Sequence, residues 1–402
     1  MADDTMTLLM PVLRALLMDL DPAAAELDPA ERRAPFLRLL DGPLRDDGAL
    51  NLDLSHLPEA GGIQPADWQA LEGLVDATVD ALLPPLQSYV DAHAQLPGEL
   101  RLSGGRRIAV DAGNAVHGDP LIRPAVDGKV AVVTGGAQGF GAEIARGLAR
   151  AGAYLILADL NLPGAEAMAD ELNASMGGTV AEGRAADVSD ETSVAELIRG
   201  VTERVGGIDL FISNAGVLKA GSVKELSVED FEFVTSVNYT GFFICSKQVS
   251  RLMSLQDRAR MRVRELPFFG DIVQINSKSG LDGSNRNGAY AGSKFGAIGL
   301  VQSFAKELVE NHIKVNAVCP GNFFDGPLWS DPDRGLFVQY LRAGKVPGAK
   351  SVADVKSFYE SRVPMGRGCT GPDVVRAILY AVGQRYETGQ AIPVTGGQIM
   401  LS

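Results

Sequence analysis

Residues 129–141 read KVAVVTGGAQGFG and residues 154–159 read YLILAD, so a glycine-rich turn follows one short apolar run and precedes another. Such runs are typical of strands that are buried on both faces of a parallel sheet. The segment between them, from Ala142 to Ala151, has the apolar spacing of a helix. This β-α-β pattern predicts an α/β fold with a doubly wound parallel sheet.

The same alternation continues toward the end of the chain. Apolar runs predict further strands at Asp209–Ile212, Asp271–Ile275, Lys314–Val318 and Ala391–Val394. Helical periodicity predicts helices near Glu191–Val205, Val228–Arg251, Tyr290–Asn311, Val352–Glu360 and Pro372–Val382. We therefore assign residues 126–402 to one Rossmann domain.

Residues 1–125 have a different character, because residues 1–127 carry −12 of the net charge of −13. Their apolar pattern predicts helices near Leu8–Leu20, near Ala30–Leu40 and from Ala66 to Tyr89 with a break at Pro84-Pro85, then two short strands around Gly104-Gly105. Gly113–Pro124, rich in Gly and Pro, predicts a linker. We interpret this acidic, mainly helical extension as a docking or oligomerisation appendage, with a regulatory or partner-binding role as the alternative.

The overall composition excludes several classes of protein. With 46% hydrophobic and 22% charged residues the chain is neither disordered, collagen-like nor disulfide-stapled. Its negative charge argues against a nucleic-acid partner. Three distant cysteines and four histidines, three of them in the acidic part, predict no metal site and a reducing, cytoplasmic location. Asp3 and Asp4 do not fit a secretory signal, and no apolar run is long enough for a membrane span.

The turn Thr134–Gly141 lies where a strand ends and a helix begins. Free N–H groups at a helix N-terminus can hold a pyrophosphate, and glycines let the backbone approach it. Asp159 ends the second strand, where its carboxylate can accept hydrogen bonds from the adenosine ribose and would repel a 2′-phosphate. The pattern therefore predicts NAD rather than NADP as the cofactor.

Tyr290 and Lys294 are four residues apart on a predicted helix, so their side chains share one face. A phenol ionises near pKa ~10, and an adjacent ammonium stabilises the phenolate and lowers that value. The pair can therefore act as an acid and base without histidine. Ser277, at the end of a buried strand, and Asn238, in an upstream helix, complete the candidate site.

Together and in this order, the motifs resemble the short-chain dehydrogenase/reductase family over about residues 128–402. The matching segments are TGGAQGFG (134–141), Asp187-Val188, Asn214-Ala215-Gly216, the four polar residues Asn238, Ser277, Tyr290 and Lys294, and Pro320-Gly321. The resemblance implies that NAD is bound by Gly135, Gln138, Gly139, Phe140, Gly141, Asp159, Asp187, Val188, Asn214, Ala215, Gly216, Tyr290, Lys294, Pro320 and Gly321.

The resemblance also implies a catalytic role for each of the four polar residues. Tyr290 exchanges a proton with the substrate oxygen, and Ser277 hydrogen-bonds that oxygen. Lys294 lowers the pKa of Tyr290 and binds the nicotinamide ribose, and Asn238 holds a relay water. A hydride moves between the substrate carbon and the nicotinamide. A homodimer or homotetramer, formed through the helices that carry Asn238 and Tyr290, is implied as well.

Within the family, the likeness is greatest to the NAD-dependent sorbitol-6-phosphate 2-dehydrogenases. It lies in INSKSG (275–280), Gly321-Asn322, RVPMGRGC (362–369), TGQ (388–390) and VTGGQ (394–398). The implied substrate is the secondary alcohol or ketone of a polyol or sugar phosphate. Because phosphate is best held by cations, the candidate substrate residues are Lys278 and Arg286 with Asn322, and further Lys219 and Arg367. The alternatives are an unphosphorylated polyol or other ketone, and a non-catalytic NAD-binding sensor or scaffold.

Three features depart from the family pattern, and one of them is the acidic extension, which has no counterpart in the compact family core. Asp325 stands where the family has a threonine near the nicotinamide carboxamide. The Arg-rich segment 256–267 lengthens the stretch between Asn238 and Ser277, and we interpret it as a solvated helix end, with a subunit contact or a dock for the acidic extension as the alternative. Residues 322–367 are interpreted as a mobile lid that excludes water, or, in their second half, as packed surface helices.

Overall fold

The computed structural model describes residues 2–20, 36–39, 49–52, 54, 68–103, 106–111, 123–262, 270–333, 335–342, 344 and 346–400. These residues contain a four-stranded sheet near the N-terminus and a seven-stranded sheet in the rest of the chain.

The N-terminal elements combine long helices with short strands. They are α1 (Ala2–Leu20), β1 (Phe36–Leu39), β2 (Ala49–Leu52), α2 (Trp68–His93), β3 (Glu99–Leu102), β4 (Arg107–Asp111) and α3 (Arg123–Val126). The strand order is β1-β4-β3-β2, with β2 and β3 parallel and the other pairs antiparallel. The first predicted helix and the two strands around Gly104-Gly105 are confirmed.

Two predictions in this region are wrong. The segment predicted as a helix near Ala30–Leu40 contains a strand, β1, because Phe36–Leu39 pairs with β4. The apolar run is too short for its periodicity to distinguish a helix from a strand. Helix α2 continues through Pro84-Pro85, because Val79, Leu82 and Leu86 on its apolar face are fully buried and stabilise it despite the lost hydrogen bonds. Most of the predicted linker Gly113–Pro124 lies outside the described residues.

The seven-stranded sheet is parallel throughout. Its strands are β5 (Val130–Thr134), β6 (Tyr154–Asp159), β7 (Ala181–Ala185), β8 (Leu210–Ser213), β9 (Gly270–Ile275), β10 (Ile313–Pro320) and β11 (Ala391–Val394). They lie in the order β11-β10-β9-β8-β5-β6-β7. The predicted fold class, a doubly wound Rossmann sheet with an N-terminal mainly helical extension, is confirmed.

Helices cover both faces of this sheet. They are α4 (Gly139–Arg150), α5 (Leu162–Met176), α6 (Glu191–Val205), α7 (Val228–Thr235), α8 (Gly241–Met261), α9 (Gly288–Leu308), α10 (Pro327–Ser330), α11 (Leu336–Arg342), α12 (Val352–Glu360) and α13 (Gly371–Gly383). Along β5, Ala131 and Val133 pack against α4 and α13, whereas Val130 and Val132 face the side of α6 and α8. Burial on both faces explains the continuous apolar runs in the sequence.

The sequence analysis missed α5 and β7. Helix α5 is polar on most of its surface, and β7 is an edge strand whose residues are largely half-buried, so neither shows a clear apolar pattern. The predicted helix Val228–Arg251 is divided into α7 and α8 by a π-helical turn, Ser236–Thr240. Asn238 lies in that turn.

The N-terminal extension is attached to the Rossmann sheet by a buried ion pair. Helix α1 packs on α6 and α8, and the guanidinium of Arg14 donates to both carboxylate oxygens of Asp209, at 2.9 and 2.7 Å. Asp209 also accepts from the Val130 N–H at 2.8 Å. Burial alone would raise the pKa of Asp209, but the cation and the hydrogen bonds hold that pKa below its usual value.

The Arg-rich segment also meets the extension. Arg258 pairs with Glu72 and Asp76 of α2, at 3.0 and 2.8 Å, and Arg262 pairs with Asp80. The three acids are four residues apart, so they lie on one face of α2. These ion pairs support the alternative interpretation, in which the Arg-rich segment is a dock for the acidic extension, for Arg258 and Arg262. Arg264 lies outside the described residues.

Candidate active site

The candidate catalytic residues lie at the carboxyl edge of the sheet. Ser277 is the second residue after β9, and Tyr290 and Lys294 are on the first turns of α9. Asn238 comes from the π-helical turn before α8. In open α/β sheets, ligands bind in the crevice outside the carboxyl ends of the strands, so the four residues are placed where chemistry is expected.

Tyr290 and Lys294 share one environment. The Lys294 Nζ lies 5.7 Å from the centroid of the Tyr290 ring and donates to the carbonyl oxygen of Ile275 at 2.9 Å. Lys294 is only 4% exposed, and burial lowers its pKa to about 8. At neutral pH the ammonium form therefore still predominates.

The acidity of Tyr290 differs from the expectation. Burial raises the pKa of the phenol, and the opposing effect, which lowers the pKa, is a hydrogen bond with the side chain of Ser277. Lys294 does not reverse this balance here, because its ammonium donates to the backbone at Ile275 rather than to the phenol. In this arrangement Ser277, and not Lys294, is the residue that favours the phenolate.

Ser277 is held at the start of a 3₁₀ turn, Lys278–Gly280. Its Oγ accepts from the Ser279 N–H at 3.1 Å. That contact uses an oxygen lone pair and leaves the hydroxyl proton available for donation. Ser277 can therefore donate to an oxygen placed beside Tyr290.

Asn238 links three parts of the site. Its Oδ1 accepts from the Val217 N–H at 2.8 Å, and its Nδ2 donates to the Val217 carbonyl at 2.9 Å and to Ser293 Oγ at 3.2 Å. Ser293, which the sequence analysis did not select, in turn donates to the Tyr290 carbonyl at 2.7 Å. The side chain of Asn238 thus joins the loop after β8 to α9, and its role as the holder of a relay water stays a prediction.

The glycine-rich turn has the shape of a phosphate cradle. Gly135 and Gly139 have φ of +64° and +60°, and a Cβ on Gly141 would lie 1.9 Å from the Gly135 carbonyl oxygen. A Cβ on Gly139 would meet nothing within 4 Å, so the turn has open space in front of it. No side chain caps the start of α4 at Gln138. The first N–H groups of the helix are therefore free of a capping side chain and fit an anionic ligand.

Asp159 and the Asn214 segment frame this turn. The Asp159 carboxylate accepts from the Ala137 N–H at 3.1 Å and from the Asn161 N–H at 2.9 Å. Asn214 Nδ2 donates to the carbonyls of Thr134 and Gly135, at 2.9 and 3.2 Å, and so joins β8 to β5. The segment Asn214-Ala215-Gly216 thus supports the turn.

Three further residues that were matched to cofactor binding also make contacts within the protein. Asp187 accepts from the backbone and hydroxyl of Ser189, at 2.9 and 2.6 Å. Val188 is buried against Gly241. Phe140 stacks on Phe323, with ring centroids 4.5 Å apart.

The turn at Pro320-Gly321 completes the edge of the site. Gly321 donates to the Val394 carbonyl at 2.9 Å, and the next residue, Asn322, accepts from the Cys369 N–H at 2.8 Å. These bonds are made by the backbone, so the Asn322 side chain takes no part in them. They tie β10 to β11 and to the segment before α13.

The candidate cations differ in whether a protein carboxylate already pairs with them. Arg286 pairs with Glu225 and Lys219 with Asp230, both at 3.4 Å, and Arg367 pairs with Asp373 at 2.6 Å. Lys278 is half-buried, and its ammonium makes no hydrogen bond and no ion pair within 4 Å among the residues that the structure describes, although the charge of Asp282 acts on it. Burial lowers the pKa of Lys278. Among these four, Lys278 is the cation that is free to bind a substrate group.

Residues 322–367 form a packed unit rather than an extended loop. Helices α10, α11 and α12 surround an apolar cluster that includes Phe324, Trp329, Phe337, Val355 and Val363. Asp325, in the position of the family's threonine, pairs with Lys356 of α12 at 2.7 Å. The described residues of both halves therefore form packed helices, as the alternative has it, and the role of the segment as a mobile lid stays a prediction.

Neither a metal site nor a membrane-spanning helix is found among the described residues. They contain no group of three or more His, Cys, Asp or Glu residues that could hold a metal ion. None of the helices within the described ranges has both the length and the apolar character of a membrane span.

Comparison with known proteins yields one consistent family. A family profile described as short chain dehydrogenase matches residues 129–328. Sorbitol-6-phosphate 2-dehydrogenase of Escherichia coli (strain K12) is 38% identical over 275 residues, which cover 68% of this chain and 99% of that protein.

Solved structures agree with this match. The crystal structure of sorbitol-6-phosphate 2-dehydrogenase from Erwinia amylovora has a TM-score of 0.61 and 38% identity, over 68% of this chain and 100% of that one. A variant of actinorhodin polyketide ketoreductase, solved with NADPH, has a TM-score of 0.56 and 30% identity, over 67% of this chain and 97% of that one. The shared part is close to residues 126–402 in length.

Proposed function

Because this chain belongs to the short-chain dehydrogenase/reductase family, whose members interconvert alcohols and ketones, we propose that it is an NAD-dependent enzyme acting on the secondary alcohol or ketone of a polyol phosphate. The observation that carries the proposal is the position of Lys278: a half-buried cation next to Ser277 in the chain, whose ammonium makes no ion pair within 4 Å among the described residues and has Asp282 as its acidic neighbour. A polyol phosphate of the sorbitol 6-phosphate type can present both a hydroxyl and a phosphate to this site.

The residues present fit a dinucleotide. We propose that the turn from Gly135 to Gly141 holds the pyrophosphate, that Asp159 binds the adenosine ribose, and that the remaining contacts come from Asp187, Val188, Asn214, Ala215, Gly216, Tyr290, Lys294, Pro320 and Gly321. When bound, the nicotinamide accepts or donates the hydride.

The protein's own groups then handle the proton. In alcohol oxidation the Tyr290 phenolate takes the proton of the substrate hydroxyl, and in ketone reduction the phenol returns it. Ser277 donates its hydroxyl hydrogen to the same substrate oxygen. Lys294, an ammonium at neutral pH because its pKa is about 8, binds the ribose. Asn238 fixes the relative positions of α9 and the loop after β8.

The preference for NAD is proposed to come from the charge of Asp159. Replacing Asp159 by Asn keeps an oxygen for the Ala137 or Asn161 N–H but removes the repulsion of a 2′-phosphate. Unit charges about 4 Å apart interact by ~1 kcal/mol in water and by ~4 kcal/mol near a protein surface. We expect the NADP-to-NAD ratio of kcat/KM to rise roughly fivefold or more, measured from the absorbance of the reduced cofactor. Asp187→Asn is the control, since it should affect both cofactors alike; an unchanged ratio in Asp159→Asn would show that Asp159 does not face the ribose.

Phosphate recognition is proposed to depend on Lys278. Replacing Lys278 by Met keeps its length and removes its charge. Because a hydrogen bond to a charged group contributes about 1.5–3 kcal/mol, kcat/KM for sorbitol 6-phosphate should fall about 10- to 100-fold, whereas kcat/KM for sorbitol should change little. The measurement is NADH formation with each substrate.

Arg286→Met is the matched control, because Arg286 is already paired with Glu225 and is largely exposed. It should leave the ratio between the two substrates unchanged. Equal kcat/KM values of the unmodified enzyme for sorbitol 6-phosphate and sorbitol would contradict phosphate recognition and favour an unphosphorylated polyol.

We further propose that residues 126–402 are the catalytic domain and that this domain self-associates. The rings of Phe243 on α8 and Phe295 on α9 are 44% and 46% exposed, on the two helices that the family resemblance assigns to the subunit interface. Burying them against a second copy would remove apolar surface from water.

A further inference from the structure

Asn276 is a buried polar residue between β9 and α9. It is 4% exposed. Its Oδ1 accepts from the Ser277 N–H at 2.8 Å, and its Nδ2 donates to the Lys294 carbonyl at 3.0 Å and to Gln274 Oε1 at 2.7 Å. A single carboxamide therefore binds the backbone of two candidate catalytic residues that are 17 positions apart.

The surrounding structure is built around this side chain. The Asn276 N–H donates to the Val318 carbonyl of β10 at 2.7 Å, which fixes its own backbone to the sheet. A Cβ on Gly280 would lie 2.1 Å from Asn276 Oδ1, so glycine at 280 leaves the space that the carboxamide fills. Both Nδ2 hydrogens have acceptors, and Oδ1 has a donor. Such a fully bonded buried amide has one orientation and resists displacement.

We infer that Asn276 is a positioning residue, whose carboxamide holds the strand end that carries Ser277 against the helix that carries Tyr290 and Lys294. Ser277 and Tyr290 lie on different elements, so the distance between their side chains depends on how those elements are held together. The Lys294 ammonium makes a second tie to Ile275, but only Asn276 bonds to Ser277 and Lys294 at once among the described hydrogen bonds.

Loss of the Asn276 hydrogen bonds should affect the rate of the catalysed reaction more than the binding of the cofactor. A displacement of about 1 Å in a catalytic group can cost about 10²-fold in rate. The glycine-rich turn and Asp159 are not bonded to Asn276, so their contacts with the cofactor are unaffected. Loss of the carboxamide should therefore lower kcat about 10²-fold and leave KM for NAD nearly unchanged.

The test compares Asn276→Ala with Asn316→Ala in the full chain. Asn316 is an equally buried asparagine on β10 that accepts from the Gln390 N–H at 3.0 Å and donates to the Glu387 carbonyl at 3.3 Å. It does not bond to a candidate catalytic residue, so its loss measures the cost of removing any buried carboxamide. Thermal unfolding reports that cost for both variants.

The decisive readout is the ionisation of Tyr290, followed as the phenolate absorbance of each protein minus that of its Tyr290→Phe counterpart. Ser277 lowers the pKa of Tyr290. Asn276→Ala should displace Ser277 and therefore raise the apparent pKa of the phenol, and move the pH profile of kcat in the same direction. Asn316→Ala should leave both unchanged.

The kinetic part rests on the proposed function, but the phenol titration needs no substrate. If the unmodified enzyme does not oxidise a polyol phosphate, the proposed substrate fails and the titration still tests Asn276. A folded Asn276→Ala variant with an unchanged phenol titration would overturn the inference. If that variant is unfolded, Asn276→Ser, which keeps an oxygen for the Ser277 N–H, should shift the phenol titration in the same direction by less, and no shift would again overturn it.

Discussion

Replacing Tyr290 by Phe is expected to lower kcat by about 10²–10⁴-fold, the usual contribution of a positioned acid or base. The phenylalanine ring keeps the volume of the half-buried side chain, so the fold and the stack of α9 on the sheet should be preserved. The dissociation constant for NAD should change little, because Tyr290 is only one of the proposed cofactor contacts and the others remain. NADH formation measures the first quantity and fluorescence titration with NADH the second.

Tyr380→Phe is the control for this experiment. Tyr380 is an exposed tyrosine of α13 that bonds to Glu387 at 3.0 Å, far along the chain from the catalytic residues. Its loss should leave kcat unchanged. If Tyr290→Phe kept full turnover, the proposed chemistry would be wrong; if it kept NAD binding and the biological role without any turnover, the sensor or scaffold alternative would gain support.

The Arg14→Ala substitution is expected to lower the free energy of unfolding by about 3–5 kcal/mol, the cost of breaking a buried ion pair from one side. The side chains of Arg14 and Asp209 are each 3% exposed. Without the guanidinium, the Asp209 carboxylate stays buried with the Val130 N–H as its remaining described donor. Urea denaturation of the full chain measures the change.

Arg258→Ala is the matched control, because Arg258 also pairs with the other unit of the chain but is about one-third exposed. A pair of that kind contributes up to about 1 kcal/mol. Arg14→Ala combined with Asp209→Asn should cost less than Arg14→Ala alone, since no charge is then left unpaired. Equal losses for Arg14→Ala and Arg258→Ala would mean that the buried pair does not hold the extension.

The sequence predicted strands where they have a continuous apolar run. Tyr154–Asp159 and Ala391–Val394 have the predicted bounds, although Ala391–Val394 is an edge strand and only partly buried. Strand β7, at the other edge, lacks such a run. In the extension, Phe36–Leu39 is too short for its periodicity to distinguish strand from helix. The limits of the prediction thus follow from the length and continuity of the apolar run.

Two parts of the candidate site could be predicted because their residues have a characteristic spacing in the sequence. Tyr290 and Lys294 are one helical turn apart, and the glycines of the turn precede a helix, so both could be selected from the sequence. Asn276 bonds to the Lys294 carbonyl and Ser293 to the Asn238 side chain, and no sequence spacing reveals contacts between such distant residues. The pairing of Arg286, Lys219 and Arg367 with acids, which leaves Lys278 free, likewise depends on tertiary structure.

The pair of Arg14 and Asp209 has a consequence for biogenesis. The two residues are separated by 195 positions, so α1 cannot form this ion pair until the chain through β8 has been synthesised. Contacts of such long sequence separation slow folding, and apolar surface that stays uncovered in the meantime favours aggregation. We therefore expect chaperones to assist the nascent chain during the interval between synthesis of α1 and synthesis of β8.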